Sequence, residues 1–355
     1  MNTAIRVGIV GANAHRAWAR DAHLPAIARL EAYELAAVCA RTQSSAEEAR
    51  VAFAAPRAFS DWRDLVSDPG IDLIAVTVKV PEHRAIVLAA LQAGKHIYCE
   101  WPLGCDLAEA LEMATAVRPH QHVTVGLQAL AAPAIRQAAK LVHSGAIGRP
   151  RILRVFSPTG GWGREAPPHY AYLQDKRNGA TLETIAGGHT LAGIEAIVGR
   201  YLEVDARKST HIKHVRIQGR DKVVERTCAD HMLILGAHVS GCVSTVEVIG
   251  ATTQPPFLLE LKADQGWLKI TGAHPGGYQV ANLRLETSLP AEPLPESVAS
   301  ELTGPPANVA AAYAQFAHDI RHDVYTAADF NVAVRLTRLL DAIDRASDSG
   351  RRQYL

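Results

Sequence analysis

Three sets of residues in this 355-residue chain have types and spacing suited to chemistry. The first is Gly8-Ile-Val-Gly11-Ala-Asn13, a glycine turn closing the short apolar run Ile5 to Val10. At the carboxyl end of a parallel strand, such a turn lets backbone approach the pyrophosphate of a dinucleotide. Of the three glycines the fingerprint wants, only Gly11 is kept; Asn13 and Arg16 stand at the other two places. Asparagine tolerates left-handed backbone, which would preserve the turn. The second set ends the next strand, Cys39-Ala-Arg41-Thr42, where no acid is present to hold the ribose of NAD. Arg41 matches a 2′-phosphate instead, which places NADP ahead of NAD. The competing reading makes Arg41 a solvated loop cation or a stack for adenine. The third set exchanges protons. Lys79 follows the apolar run Leu73 to Val78 and precedes Pro81. Partly desolvated near a cationic nicotinamide, it would have a lowered pKa and could trade a proton with a substrate hydroxyl. It could equally contact phosphate or ribose, or form a structural ion pair. His189 is the other candidate, because imidazole titrates near neutrality; a satisfied polar helix residue is its plainer reading. His211 and His214 have metal-like spacing, but no carboxylate or cysteine is arranged with them, and no metal is expected.

These residues need a scaffold that presents strand ends. Strands are expected at Ile5 to Val10, Tyr33 to Cys39, Leu73 to Val78, His96 to Cys99 and Val123 to Leu127. Helical segments alternate with them, at Ser44 to Phe53 (with Ser44 and Glu47 as a capping box), Pro81 to Ala93 and Asp106 to Val117. Repeated β-α units imply a doubly wound parallel sheet with helices on both faces. After about Gly126 the pattern changes to a helix at Pro133 to Ser144, a strand at Arg151 to Phe156, a Gly/Pro/aromatic loop from Ser157 to Tyr172, and a helix near Leu182 to Val198. From Tyr201 to Glu286 strands follow without helices, which suggests one large open antiparallel sheet. A proline-rich connection (Pro290 to Pro306) and two amphipathic helices, Ala307 to His322 and Asn331 to Ala346, complete the chain. The fold class is therefore α/β, with a dinucleotide-binding domain over 1–126 and an α+β substrate and oligomerisation domain over 127–355.

Composition narrows the class. The chain is 48% hydrophobic and 21% charged, with a formal net charge of +1, so nothing points to nucleic acid or an acidic membrane. No apolar run reaches membrane-spanning length, and no leader-like series precedes the first strand. The five cysteines, Cys39, Cys99, Cys105, Cys228 and Cys242, fit no zinc pattern, and their odd count argues against a disulfide framework. A reducing cytoplasm is the expected compartment.

The stretch Ala93-Gly-Lys-His96-Ile-Tyr-Cys-Glu100-Trp101-Pro102 resembles the Ala-Gly-Lys-His…Glu-Lys-Pro signature of the Gfo/Idh/MocA oxidoreductases. His23-Leu-Pro-Ala26, Val125-Gly126 with Pro133, Asn178-Gly-Ala180 and Leu340-Asp-Ala-Ile343 match that family's habits, so the resemblance covers nearly the whole chain. It implies an N-terminal Rossmann domain and a C-terminal domain whose open sheet mediates dimers or tetramers. It also implies that Glu100 touches the nicotinamide ribose, that His83 braces its helix within the cofactor site, and that Pro102 and Gln128 border the cofactor. Tyr170 and Tyr172 would line a carbohydrate-like pocket with Trp101 and His189, or simply pack at the surface. Two departures matter. Trp101 stands where the family's catalytic lysine belongs, and an indole N–H does not titrate in this range. Glu183 and His189 are six apart, so they do not share a helix face as the family's acid and histidine do. The Trp for Lys, the longer first turn through Trp18 to His23, Gly187-Gly-His189 and Val125-Gly-Leu-Gln128 resemble the branch that contains the fungal galactose-pathway repressor.

Two functions follow. The leading one is an NAD(P)-dependent oxidoreductase acting on a sugar, polyol or related hydroxy or carbonyl compound, with Lys79 or His189 replacing the absent lysine. The opposing one is a non-catalytic dinucleotide sensor that binds a protein partner.

Overall fold

The computed structural model describes residues 4–290, 294 and 298–355. It divides into two compact units, Met1–Ala131 with Ser297–Val334, and Ala132–Glu296 with Arg335–Leu355.

The first unit is built on a six-stranded sheet. Its strands are β1 (Ile5–Val10), β2 (Tyr33–Cys39), β3 (Ala58–Phe59), β4 (Leu73–Val76), β5 (His96–Glu100) and β6 (Val123–Gly126). They lie in the order β3-β2-β1-β4-β5-β6, and every pairing is parallel. β4 is buried along its whole length, as its unbroken apolar run requires of a strand covered on both faces. The order reverses direction between β1 and β4, so the crevice for a ligand opens at their carboxyl ends. No helix follows Gly11 directly; a bent loop runs to Trp18 before a single π turn, Ala19–His23, and the short helix Leu24–Ile27. The expected capping box at Ser44 and Glu47 also shifts. Thr42 caps the helix Gln43–Ala52, sharing its hydroxyl reciprocally with Ser45, while Glu47 pairs with Arg50. The residue with extended backbone is Thr42 (φ −132°), and only such a residue can aim its side chain back at the first turn.

The helix Pro305–His322 was assigned by sequence to the second domain. It belongs to the first unit, where Val309, Tyr313 and Phe316 enter the same core as Val7, Ile9, Leu73 and Tyr98. A linear boundary at 126/127 cannot capture a chain that returns after some 170 residues to finish the core it began.

The second unit carries the strands β7 (Pro150–Pro158), β8 (Glu165–Ala166), β9 (Tyr201–Ser209), β10 (His214–Ile217), β11 (Val223–Glu225), β12 (His231–His238), β13 (Val243–Ile249), β14 (Phe257–Ala263), β15 (Trp267–Gly272), β16 (Arg284–Thr287) and β17 (Gln353–Tyr354). Eight form one sheet in the order β16-β15-β14-β7-β13-β12-β9-β17, and β11-β10-β8 make a small second sheet. The large sheet is antiparallel except where β13 pairs parallel with β7, so it is mixed rather than wholly antiparallel. β12 alternates buried and exposed positions, with Leu233 and Leu235 outward, the signature of a sheet covered on one face. The proline-rich connection at 290–306 lies partly outside the described residues. No helix among the described residues is long and apolar enough to cross a membrane.

Candidate functional site

In the first unit Gly11, Arg41, Lys79, Glu100, Trp101 and Gln128 lie at or just beyond the carboxyl ends of β1, β2, β4, β5 and β6, which a parallel sheet sets along one edge. Gly11 is at φ +104°, and a Cβ there would sit 2.8 Å from the Thr77 hydroxyl and 3.0 Å from the Thr77 carbonyl carbon. Only glycine allows β1 to turn this close to β4. The Thr77 hydroxyl in turn donates to the Val10 carbonyl at 2.8 Å. Gly8 lies within β1 rather than at the turn. Asn13 does not adopt the left-handed backbone expected of it; Ala17 does, at φ +105°. The Asn13 side chain shapes the loop instead, accepting the amides of His15 (3.0 Å) and Arg16 (3.1 Å). The Gly11 and Ala12 amides donate to the Cys39 carbonyl. Four of the loop's amides are thus committed within the chain, which a glycine-fingerprint reading does not foresee.

Arg41 is exposed at the end of β2. Thr42 beside it is committed to its helix cap, so its hydroxyl is not the free cofactor contact the sequence suggested. Lys79 is exposed, heading the 3-10 turn Val80–Glu82 with its carbonyl accepting the Glu82 amide. An exposed lysine is not the partly desolvated one expected from the sequence. His83 is enclosed, with Nε2 3.1 Å from the Val78 carbonyl and Nδ1 3.1 Å from that of Pro102 and 3.4 Å from the Cys99 sulfur. Burial holds its pKa below the usual imidazole range. It ties the turn after β4 to the turn after β5, a brace rather than a direct cofactor contact. Trp101, followed by a cis bond to Pro102, is itself buried. Glu100 is seated by two residues that carried no role in the sequence reading. His23 contacts its carboxylate at 2.9 Å, and Gly126 leaves room for it, since a Cβ there would fall 2.5 Å from Oε1. Both stand in motifs, His23-Leu-Pro and Val125-Gly126, that could have flagged them.

Among the described residues of this unit, three polar side-chain atoms are buried without a hydrogen-bond partner: Tyr98 Oη, inside β5, and the pair Trp18 Nε1 and Gln128 Oε1. The pair lies in loops that follow site strands. Such atoms are costly unless a ligand satisfies them. With the glycine-walled turn, they fit a dinucleotide.

In the second unit a π turn, Glu183–Gly187, leads into the helix Gly188–Val198. Glu183 is spent on structure: it accepts the Ala229 amide at 3.1 Å and faces Lys208, which also reaches Asp344 at 2.5 Å. His189 is 4% exposed, its Nδ1 has no hydrogen-bond partner among the described residues, and its carbonyl accepts the Tyr278 hydroxyl. That phenol needs Gly193, where a Cβ would come within 2.6 Å of it. Burial pulls the His189 pKa down to about 3. The imidazole does not titrate near neutrality, contrary to the expectation from its ordinary pKa. Tyr170 is exposed and Tyr172 half-buried, with a phenol pushed up to about 12 by burial. Their loop is held by Arg226, whose fully buried guanidinium donates to the carbonyls of Trp162 (2.6 Å) and Gly163 (2.7 Å), to Gln174 Oε1 (2.8 Å) and to Asp230 (3.1 Å). No motif marks Arg226.

Residues 5–127 match the family described as an oxidoreductase family with an NAD-binding Rossmann fold, and residues 133–272 match the Gal80p C-terminal domain. A dehydrogenase of Aspergillus oryzae is 32% identical over 216 residues, 59% of this chain and 59% of that protein's own length. The galactose/lactose metabolism regulatory protein of Saccharomyces cerevisiae is 28% identical over 79% of this chain and 69% of its own. The structure of a super-repressor mutant of that regulator superposes with a TM-score of 0.87 at 22% identity, covering 99% of this chain and 98% of the other. Levoglucosan dehydrogenase, solved with NADH and levoglucosan, superposes with a TM-score of 0.83 at 21% identity, covering 99% of each chain.

Proposed function

We propose that the chain, whose residues 5–127 match the oxidoreductase family with an NAD-binding Rossmann fold and whose residues 133–272 match the Gal80p C-terminal domain, is an NAD(P)-dependent oxidoreductase of the Gfo/Idh/MocA type acting on a sugar, polyol or related hydroxy or carbonyl compound. The observation that carries this reading is the placement of Lys79. It stands exposed two residues beyond Thr77, the residue against which Gly11 turns at the reversal point of the sheet.

When bound, the dinucleotide supplies hydride donation or acceptance. The Gly11 turn, Glu100 and Gln128 hold it, and Arg41 favours the 2′-phosphate of NADP. Lys79 takes or returns the proton of the substrate hydroxyl, the task of the lysine that Trp101 replaces. Trp101 contributes bulk beside Glu100. Within the second unit His189 is buried and held neutral, and Tyr170 and Tyr172 lie on the 3-10 turn Pro168–Gln174. The outward Ile152, Leu233, Leu235 and Val243 of the large sheet support a homodimer or homotetramer in which a second copy covers that face. Five free cysteines suit a cytoplasmic setting.

The test is a panel of sugars, polyols and aldehydes followed at the reduced-nicotinamide absorbance. Lys79→Met should lose turnover about a hundred- to ten-thousand-fold while dinucleotide binding stays, and Trp101→Phe should be milder. Near-full turnover in Lys79→Met sinks the mechanism. The second reading, a dinucleotide-responsive regulator, is favoured by the Gal80p-type domain and by Trp101. It gains if the protein binds dinucleotide but turns over nothing in the panel.

A further inference from the structure

Glu100 is the one carboxylate at the carboxyl ends of the site strands β1, β2, β4, β5 and β6, and its surroundings are unusually specific. Its side chain is only 15% exposed, and a carboxylate buried to that degree needs a donor. Among the described residues that donor is His23, which is itself fully enclosed. A carboxylate can only accept, so His23 Nε2 carries the hydrogen of the 2.9 Å contact to Oε1. The other ring nitrogen, Nδ1, is hydrogen-bonded to the Tyr313 hydroxyl at 2.9 Å. Tyr313 is clamped in its turn: its ring stacks on Tyr98 with centroids 4.5 Å apart, and its carbonyl accepts the Tyr33 hydroxyl at 2.8 Å. Gly126 forms the floor, with the position of its absent Cβ 2.5 Å from Oε1 and 2.7 Å from the carboxyl carbon. A chain of hydrogen bonds therefore runs from the core to one oxygen of Glu100, and no donor among the described residues reaches Oε2.

We infer that His23 is a positioning residue. With Tyr313 behind it, His23 fixes Glu100 so that Oε2 accepts a ribose hydroxyl from the nicotinamide half of the dinucleotide. This rests on the dinucleotide reading above. The half is assigned by the fold. The strands β1, β2 and β3 form one mononucleotide half and β4, β5 and β6 the other, and Glu100 ends β5. Holding Glu100 is thus a task of two residues, one before β2 and one in the helix Pro305–His322, neither of which contacts the ligand in this account.

The test compares two ligands by calorimetry: the full dinucleotide, and adenosine 5′-diphosphate, which fills only the adenine half. His23→Leu should weaken the dinucleotide about tenfold to a hundredfold, the effect of a lost hydrogen bond to a charged group, and leave adenosine diphosphate unchanged. His23→Gln, whose amide can donate where Nε2 did, should recover most of the loss. Tyr313→Phe should cost a few-fold at most, since its ring still stacks. The double variant with Glu100→Gln should bind no more weakly than either single variant, because both act through one contact. The inference is overturned if His23→Leu binds the dinucleotide as the parent does. Equal losses for both ligands that His23→Gln does not recover overturn it too, because they mark general damage. A parent protein that binds adenosine diphosphate but gains nothing from the nicotinamide half refutes the inference and spares the fold assignment. A parent that binds neither ligand removes the dinucleotide reading and the inference with it.

Discussion

Replacing Arg226 with methionine removes the most heavily used buried cation of the second unit. The guanidinium is fully enclosed and its partner Asp230 is 4% exposed. Removing one member of such a pair costs about 3–5 kcal/mol. The lower end applies here, because Asp230 keeps the amides of His211 (2.9 Å) and Ile212 (2.8 Å) and is not left bare. The carbonyls of Trp162 and Gly163 are half-buried, so water can replace part of what they lose, whereas Gln174 is buried and cannot be served so easily. A loss of about 3 kcal/mol corresponds to roughly 6–12 °C in the melting temperature of a unit of this size. Urea unfolding should show the lower midpoint. Trypsin should show where it arises, by faster cleavage after the exposed Arg164, which lies in the released loop. Arg226→Lys should behave almost as badly, since one ammonium cannot reach four separated acceptors. A change below about 1 kcal/mol with unchanged cleavage at Arg164 would refute the reasoning, because the loop would then be held by something else.

Acid should destabilise the fold through His189 and His96, whose pKa values burial lowers to about 3 and about 4, the latter with His122 adding to the effect. Above pH 6.5 neither folded nor unfolded chain protonates them; below it the unfolded chain takes up protons that the fold refuses. Stability therefore falls by about 1.4 kcal/mol per pH unit for each, from 6.5 towards 4, and His189→Gln should flatten the profile measured by denaturant titration between pH 7.5 and 5. Gly11→Ala forces alanine to φ +104° against Thr77, a backbone cost of about 1–2 kcal/mol, and should weaken dinucleotide binding at least tenfold by calorimetry. Unchanged affinity would mean that the turn is not the cradle. Arg41→Ala should abolish a preference for NADP over NAD; a parent that prefers NAD, or a preference that survives the substitution, removes the role given to Arg41. Light scattering should find a dimer or tetramer, and a monomer throughout the micromolar range would leave the apolar sheet face without a second copy.

The elements whose signals are local were legible in the residues alone. β2 occupies the stretch Tyr33–Cys39 read from its apolar run. The helix that Pro133 opens and Gly145 follows ends at His143, one residue short of expectation. The parallel alternation of the first unit followed from the same periodicity, because burial on both faces demands unbroken apolar strands. The resemblance stated from the sequence agrees with the oxidoreductase-family match over residues 5–127. Other features depend on what a residue meets across the fold, and sequence spacing does not contain that. Local chemistry offered Asn13 for a left-handed turn, but its side chain instead holds the loop and Ala17 takes that backbone. His189 has an imidazole's ordinary pKa until the fold buries it. The parallel pairing of β13 with β7 joins strands some ninety residues apart. His23 and Tyr313 are 290 positions apart, yet hydrogen-bonded. Periodicity and capping act over a few residues and can be read along the chain, whereas burial, desolvation and long-range hydrogen bonds exist only once distant segments share one core.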